Sequence, residues 1–311
     1  MITFFFTHIA VSNPCAEWTQ KSDPVAIQQC QITQGFNQPL YIQFERYFTG
    51  LLSGNWGTDQ NGLSVIQPIV QAVPATLELV LASLAIMVIV GIPLGVIAAT
   101  NSGRWGDHLV RVFYLSGWAT PTYLGAIVIA LVIGPALGLP RSGAYTSTPP
   151  FPQPTHMSVV DALLAGNLYY AADATTHLIL PAVTLAFVNL GIVTRMTRST
   201  MLEVLPLEYV KTARMKGLEE SRVVYRHALR NSLITTVTVL GITAGALLSG
   251  TVVIEKIFDW PGIGNYAYQA IVTYNFPGTI AVVVVFAVAV VIANLIADIL
   301  YGILDPRVEW R

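Results

Sequence analysis

Residues 208–231, EYVKTARMKGLEESRVVYRHALRN, gather six Lys or Arg, three Glu and one His in an otherwise apolar chain. Carboxylates beside an imidazole could serve acid–base or metal chemistry, but the spacing does not support either. No H-E-x-x-H occurs, the five histidines are scattered at 8, 108, 156, 177 and 227, and no G-x-S-x-G elbow is present. There is no G-x-x-x-x-G-K-[ST] phosphate loop, and none of the four lysines follows a glycine. The chain is therefore read as non-catalytic, with no metal site and no nucleotide cofactor of its own. What the stretch can do is make contact. Tyr209, Val210, Ala213 and Met215 are apolar or small and the residues around them are charged, which is the composition of a protein–protein contact. A loop that only obeyed the positive-inside rule would account for the charge, but not for the internal layout described next.

That layout is helix, glycine, helix. Pro206 suits a first helical turn, Glu208 puts negative charge near that start, and Arg214 and Lys216 put positive charge in the last turn. Gly217 can take the left-handed conformation that stops a helix. A short helix over 206–216 follows, about 16 Å long. A second begins at Glu219 and Glu220 and carries Arg222, Arg226, His227 and Arg230 toward the next apolar segment.

The rest of the chain is built to hold this knob at a membrane. Of 311 residues, 54% are hydrophobic and 11% charged, against about 25% charged in soluble domains. The net charge of −1 implies no bulk attraction to nucleic acid. Residues 79–103, 112–140, 174–194, 231–254 and 260–297 lack Asp, Glu, Lys and Arg. A bilayer crossing takes about 20 apolar residues. The fold class is therefore all-α, a polytopic transmembrane bundle with five complete spans at 77–100, 109–134, 176–196, 232–254 and 279–303. Residues 1–12, MITFFFTHIAVS, reach only about 18 Å as a helix. They read as a partial first span, with a helix lying in the interface as the alternative.

Charge then sets orientation. Arg104, Arg111, Arg195, Arg198, Lys211, Arg214, Lys216, Arg222, Arg226, Arg230, Arg307 and Arg311 fall on one side of these spans, and Lys21, Arg46, Arg141 and Lys256 on the other. Twelve against four makes the loop 197–231 and the tail 304–311 cytoplasmic. Segments 13–76, 135–175 and 255–278 then face outward. Residues 147–156, STPPFPQPTH, are too rich in proline for helix, whereas 41–54 suits a short amphipathic one. Cys15 and Cys30 share an outward segment, where a disulfide is permitted, and two unpaired thiols are the alternative. The few charges inside spans, Glu78 and Asp298, lie close enough to an interface to reach water. No charge stands near a midplane, where a proton- or sodium-coupled carrier would want one. Gly241, Gly245 and Ser249 recur every four residues, as do Gly91 and Gly95. Such spacing lets helix backbones approach, either within this subunit or at a seam with another.

The loop resembles the coupling loop of bacterial and archaeal ABC-importer permeases, in the dipeptide/oligopeptide, binding-protein-dependent version. That family shows a pattern like Y-V-x-T-A-x-x-K-G-L followed by H-A-L-R-N. Here stand Tyr209, Val210, Thr212, Ala213, Lys216, Gly217 and Leu218, then His227, Ala228, Leu229, Arg230 and Asn231. PLYIQFERYFTGLLSGNWG (39–57), ATLEL (75–79), GIPLGVIAA (91–99), LPRSG (139–143), HLILPAVTLA (177–186), FDWPGIG (258–264) and LDPRV (304–308) look familial, in the expected order. Three departures stand out: no full first span with a basic start, SLITT where the family tends to place a proline after Arg-Asn, and no Glu-Ala-Ala triplet. The resemblance implies a multi-pass cell-membrane subunit of the first-permease type, working by alternating access. It implies a second homologous permease, two cytoplasmic ATP-binding subunits that hold ATP and Mg, and an extracytoplasmic substrate-binding protein. Glu208, Tyr209, Val210, Thr212, Ala213, Lys216, Gly217, His227, Arg230 and Asn231 would form the ATPase-coupling site. The substrate would be di- or oligopeptide, with oligosaccharide or nickel served by the same machinery elsewhere in the family.

Overall fold

Apolar chain in a bilayer must satisfy its backbone internally, which favours helices. The computed structural model describes Phe4, 14–18 and 24–304, and among these residues the regular elements are helices, with one isolated antiparallel bridge between Thr58 and Ser64. Residues 1–3, 5–12 and 305–311 lie outside the described residues, so the partial first span and most of the C-terminal tail do too.

Three helices come first: α1 (Pro14–Trp18), α2 (Pro24–Gln34) and α3 (Leu40–Leu52). A disulfide joins Cys15 to Cys30, with Cα atoms 5.8 Å apart. Trp18 donates its indole N–H to the Tyr274 carbonyl (2.8 Å), which ties α1 to the far end of the chain.

The first long helix, α4 (Ile66–Thr100), starts earlier than the 77 expected from charge and apolarity. Gln67, Pro68, Gln71 and Pro74 read as loop residues. Yet Pro68 sits in the first turn, where a missing N–H costs nothing, and Pro74 is carried inside the helix. A π-helical turn at Met87–Gly91 adds a bulge midway.

The expected continuous span 109–134 is broken. It consists of α5 (Trp105–Ala119) and α6 (Thr122–Leu137), whose axes bend by 107°. Pro121 causes the break. It excludes the helical conformation at Thr120, which is extended at φ −82°, ψ 124°. Together the two halves still travel the bundle. The long helix α8 (Leu168–Val204) meets α5 at Asp107–Arg198 and at Gly117–Phe187, and α6 at Gly134–Leu180. The contacts step along α8 from one end toward the other, so the pair forms one broken crossing.

Between them lies α7 (Ser158–Leu164), and 147–156 is free of helix. Then come α9 (Glu208–Met215), α10 (Glu220–Gly250), α11 (Val252–Ile257), α12 (Ile263–Val272) and α13 (Phe276–Leu304). Helix α8 is the axis of the bundle: 61% of its apolar window is buried, against 22% for α13.

The small residues sit at contacts inside this chain. A Cβ on Gly91 would come within 3.2 Å of Val193, and one on Gly95 within 2.6 Å of Thr197, so both let α4 press onto α8. A Cβ on Gly241 would lie 2.5 Å from Ala297, and one on Gly245 3.4 Å from Ala293, which seats α10 on α13. Ser249 differs: it is exposed and hydrogen-bonds only within its own helix.

Candidate coupling site

The loop after α8 turns at Leu205–Leu207, where the Leu207 N–H returns to the Val204 carbonyl (3.0 Å). Leu207 is extended, and α9 begins at Glu208 rather than at Pro206. Glu208 lies in the first turn and Arg214 in the last, complementing the helix dipole. Gly217 follows with φ +72° and donates its N–H to the Arg214 carbonyl (2.9 Å). That left-handed residue reverses the chain into α10.

The inward face of α9 is Val210 and Ala213, three residues apart, 0% and 6% exposed. They pack with Val96 and Ala99 of α4, Met201 and Val204 of α8, and Val223, Val224 and Ala228 of α10. This corrects the reading of Ala213 and Val210 as part of an outward contact surface. An amphipathic helix of eight residues has too little apolar area to stay folded unless its greasy stripe faces its own protein. The outward face is Glu208, Tyr209, Lys211, Thr212, Met215 and Lys216, with Met215 79% exposed.

Charges on this face are partly self-paired. Lys211 meets Glu208 at 2.9 Å and Arg214 meets Glu220 at 2.8 Å. Beside them a cleft of about 430 Å³ opens between Tyr209 and the start of α10, lined by Arg226, His227, Arg230 and Asn231. The Tyr209 hydroxyl reaches the His227 carbonyl at 3.4 Å. The structure thus brings Tyr209, His227, Arg230 and Asn231 to one cleft, whereas Val210 and Ala213 lie behind it as its support. The first turns of α10 (Val223–Ala228) are π-helical, a form that recurs at functional sites.

Sequence reasoning missed three buried carboxyl groups. Asp107 receives a bidentate Arg198 (2.8 Å for both bonds), which locks α5 to α8 beside the knob. Glu78, expected to reach water, is 7% exposed; it accepts the N–H groups of Ser158 and Val159 (2.8 Å each) at the start of α7. Glu255, fully buried, accepts the Thr76 hydroxyl (2.7 Å) and the N–H groups of Gly264 (2.7 Å) and Asn265 (3.0 Å). Asp298 is exposed. The signal for Glu255 was its position before FDWPGIG, whose glycines leave room for a carboxyl: a Cβ on Gly262 would collide with it.

The family model described as "Binding-protein-dependent transport system inner membrane component" matches residues 91–310, more than half of the chain and all of the loop that carries α9. The chain belongs to this family. The permease is 40% identical to the probable D,D-dipeptide transport system permease protein of Escherichia coli K12, over 99% of this chain and 92% of that one. It is 38% identical to the di/tripeptide transport system permease protein of Pseudomonas aeruginosa (94% and 88%), and 35% identical to the oligopeptide transport system permease protein AppB of Bacillus subtilis (89% and 83%). Among solved structures it is similar in fold to a chain of the MetNI methionine ABC transporter in inward-facing conformations. The TM-score is 0.57 at 16% identity, with 77% of this chain and 97% of that chain covered. The family's work is transport, so this permease is a membrane component rather than an enzyme.

Proposed function

We propose that the permease forms half of the pore of an ATP-driven importer of di- and oligopeptides, and that α9 couples it to a cytoplasmic ATPase. The observation that carries the reading is α9 itself: seated by Val210 and Ala213, it presents Tyr209, Lys211 and Met215 outward. Because its seat is made of α4, α8 and α10 together, a displacement of α9 bears on three long helices at once. Interfaces and packed cores tend to switch rather than deform continuously. ATP binding would draw two such knobs together and open the pore outward, and hydrolysis would reset it.

The distribution of Lys and Arg supports a cytoplasmic position for the side bearing α9 and, with it, for the C-terminus. The partners are a second homologous permease, two ATP-binding subunits that hold ATP and Mg, and an extracytoplasmic binding protein. The peptide class is supported by the relatives, whose names are those of dipeptide, tripeptide and oligopeptide systems. The test is reconstitution of the four-subunit assembly in lipid vesicles with its binding protein. Uptake of a labelled tripeptide should require ATP, the binding protein and both ATPases, and this permease purified alone should hydrolyse no ATP. ATP hydrolysis by the isolated chain, or uptake without the ATPases, would overturn the reading.

A further inference from the structure

At the end opposite α9, a cleft of about 470 Å³ opens between the first turns of α4, the loop after α6, and α12. Ligand pockets commonly fall in the range of about 300–1,000 Å³. Among the described residues its wall carries the carboxamides of Gln71, Gln153, Asn265 and Gln269, with Tyr145 and His156, and not one Asp, Glu, Lys or Arg. The wall is fixed rather than loose. Glu78 holds Ser158 by its N–H, Glu255 holds Asn265 by its N–H, and the Trp260 indole donates to the Ala75 carbonyl (2.8 Å). Tyr145 hydrogen-bonds the Ser158 carbonyl, and burial, with Glu78 and Asp161 nearby, pushes its phenol up to about 12, so it stays a neutral donor.

Two details mark the cleft as built for a ligand. His156 stands on its edge with φ +54°, a conformation that costs a non-glycine residue energy and that clusters at binding sites. Asn265 is oriented by its own donors, with Nδ2 bonded to Asp259 (3.2 Å) and to the Trp260 carbonyl (3.3 Å). Its Oδ1 is buried, so Asn265 is a locked part of the wall, and the free carboxamides are those of the exposed Gln71 and Gln269 and the half-buried Gln153.

We propose that this cleft binds the main chain of the transported peptide, reading its amide groups and neither its side chains nor its charged ends. The inference rests on the importer reading above. A carboxamide offers an N–H and a C=O in one plane, the complement of a peptide unit. Among the described residues no charged side chain lines the cleft to hold an ammonium or carboxylate terminus, and no carboxylate lines it to bridge the paired hydroxyls of a sugar.

Gln269 is exposed, and the two native cysteines are joined to each other, so Gln269→Cys adds this chain's one free thiol without disturbing the core. The experiment follows alkylation of that thiol in the assembled permease–ATPase complex in lipid, without binding protein. Free trialanine and acetyl-trialanine-amide, at about ten times half-saturation, should each slow it about tenfold, and maltotriose should not. Adding His156→Gly, which relieves the strained φ, should raise the peptide concentration for half-protection about tenfold. Protection by the free peptide alone, by maltotriose, or by nothing while the complex still imports trialanine would overturn the proposal and leave the importer reading standing. Import of maltotriose and not trialanine would overturn both.

Discussion

Opposite α9, Glu78 and Glu255 bury their carboxyl groups against backbone donors that belong to other segments, and Trp260 adds an indole bond to α4. At the α9 end the knob is seated by small apolar contacts and one glycine turn, with its ion pairs out in solvent. Buried hydrogen bonds are directional and costly to leave unmade. Apolar contacts over Val210 and Ala213 are not directional, so a helix resting on them can switch to a second seating without breaking a buried hydrogen bond. One end is therefore fastened throughout, whereas at the other only the knob is merely seated, on helices that Asp107 and Arg198 lock together.

Substitutions at the two ends should differ in kind. Glu255→Leu strands the Thr76 hydroxyl and the N–H groups of Gly264 and Asn265 in a buried site, at roughly 1–3 kcal/mol each. The end opposite α9 should lose its fold, read as failure to accumulate or a sharply lowered unfolding temperature in detergent. Wild-type thermal stability would break the contrast between the ends.

Ala213→Glu puts a charge into the seat of α9, at a cost of several kcal/mol unless the helix lifts away. The chain should insert normally, but limited proteolysis should newly cut between 205 and 219, and ATPase stimulation should fall with it. Lost stimulation with no new cleavage would mean that Ala213 touches a partner after all. Gly217→Val should be milder: a β-branched residue at φ +72° costs of order 1 kcal/mol or more, whereas Gly217→Asn tolerates that conformation. Valine should lower coupled transport several-fold and asparagine should nearly restore it, at equal expression. Equal uptake by both variants would show that the turn does not aim α9.

The charge-free runs of the sequence were enough to find the long helices, because a bilayer excludes charge without regard to tertiary context. The break at Thr120–Pro121 was written there too, since a residue before proline avoids the helical conformation, but an apolar run longer than 20 residues concealed it. The knob's ends were legible because Glu208, Arg214 and Gly217 act through the local backbone. Its buried face was half legible: Val210 and Ala213 share a helix face, yet nothing local says whether that face meets its own bundle or a partner. The partners of the staples were not legible. Glu78 finds its donors 80 and 81 residues away, and Glu255 reaches Thr76 across 179, distances over which composition carries no information.

The central claim is that the exposed face of α9 receives the ATPase's motion, and Met215 tests it most directly. Its side chain is 79% exposed and is not part of the apolar cluster that seats the knob, so Met215→Glu should cost the fold almost nothing. In the reconstituted complex, ATP hydrolysis stimulated by loaded binding protein should fall at least about tenfold, since a new unpaired charge would be buried at the contact. The permease itself should accumulate and melt as the wild type does. Wild-type stimulation and uptake in that variant would contradict the account.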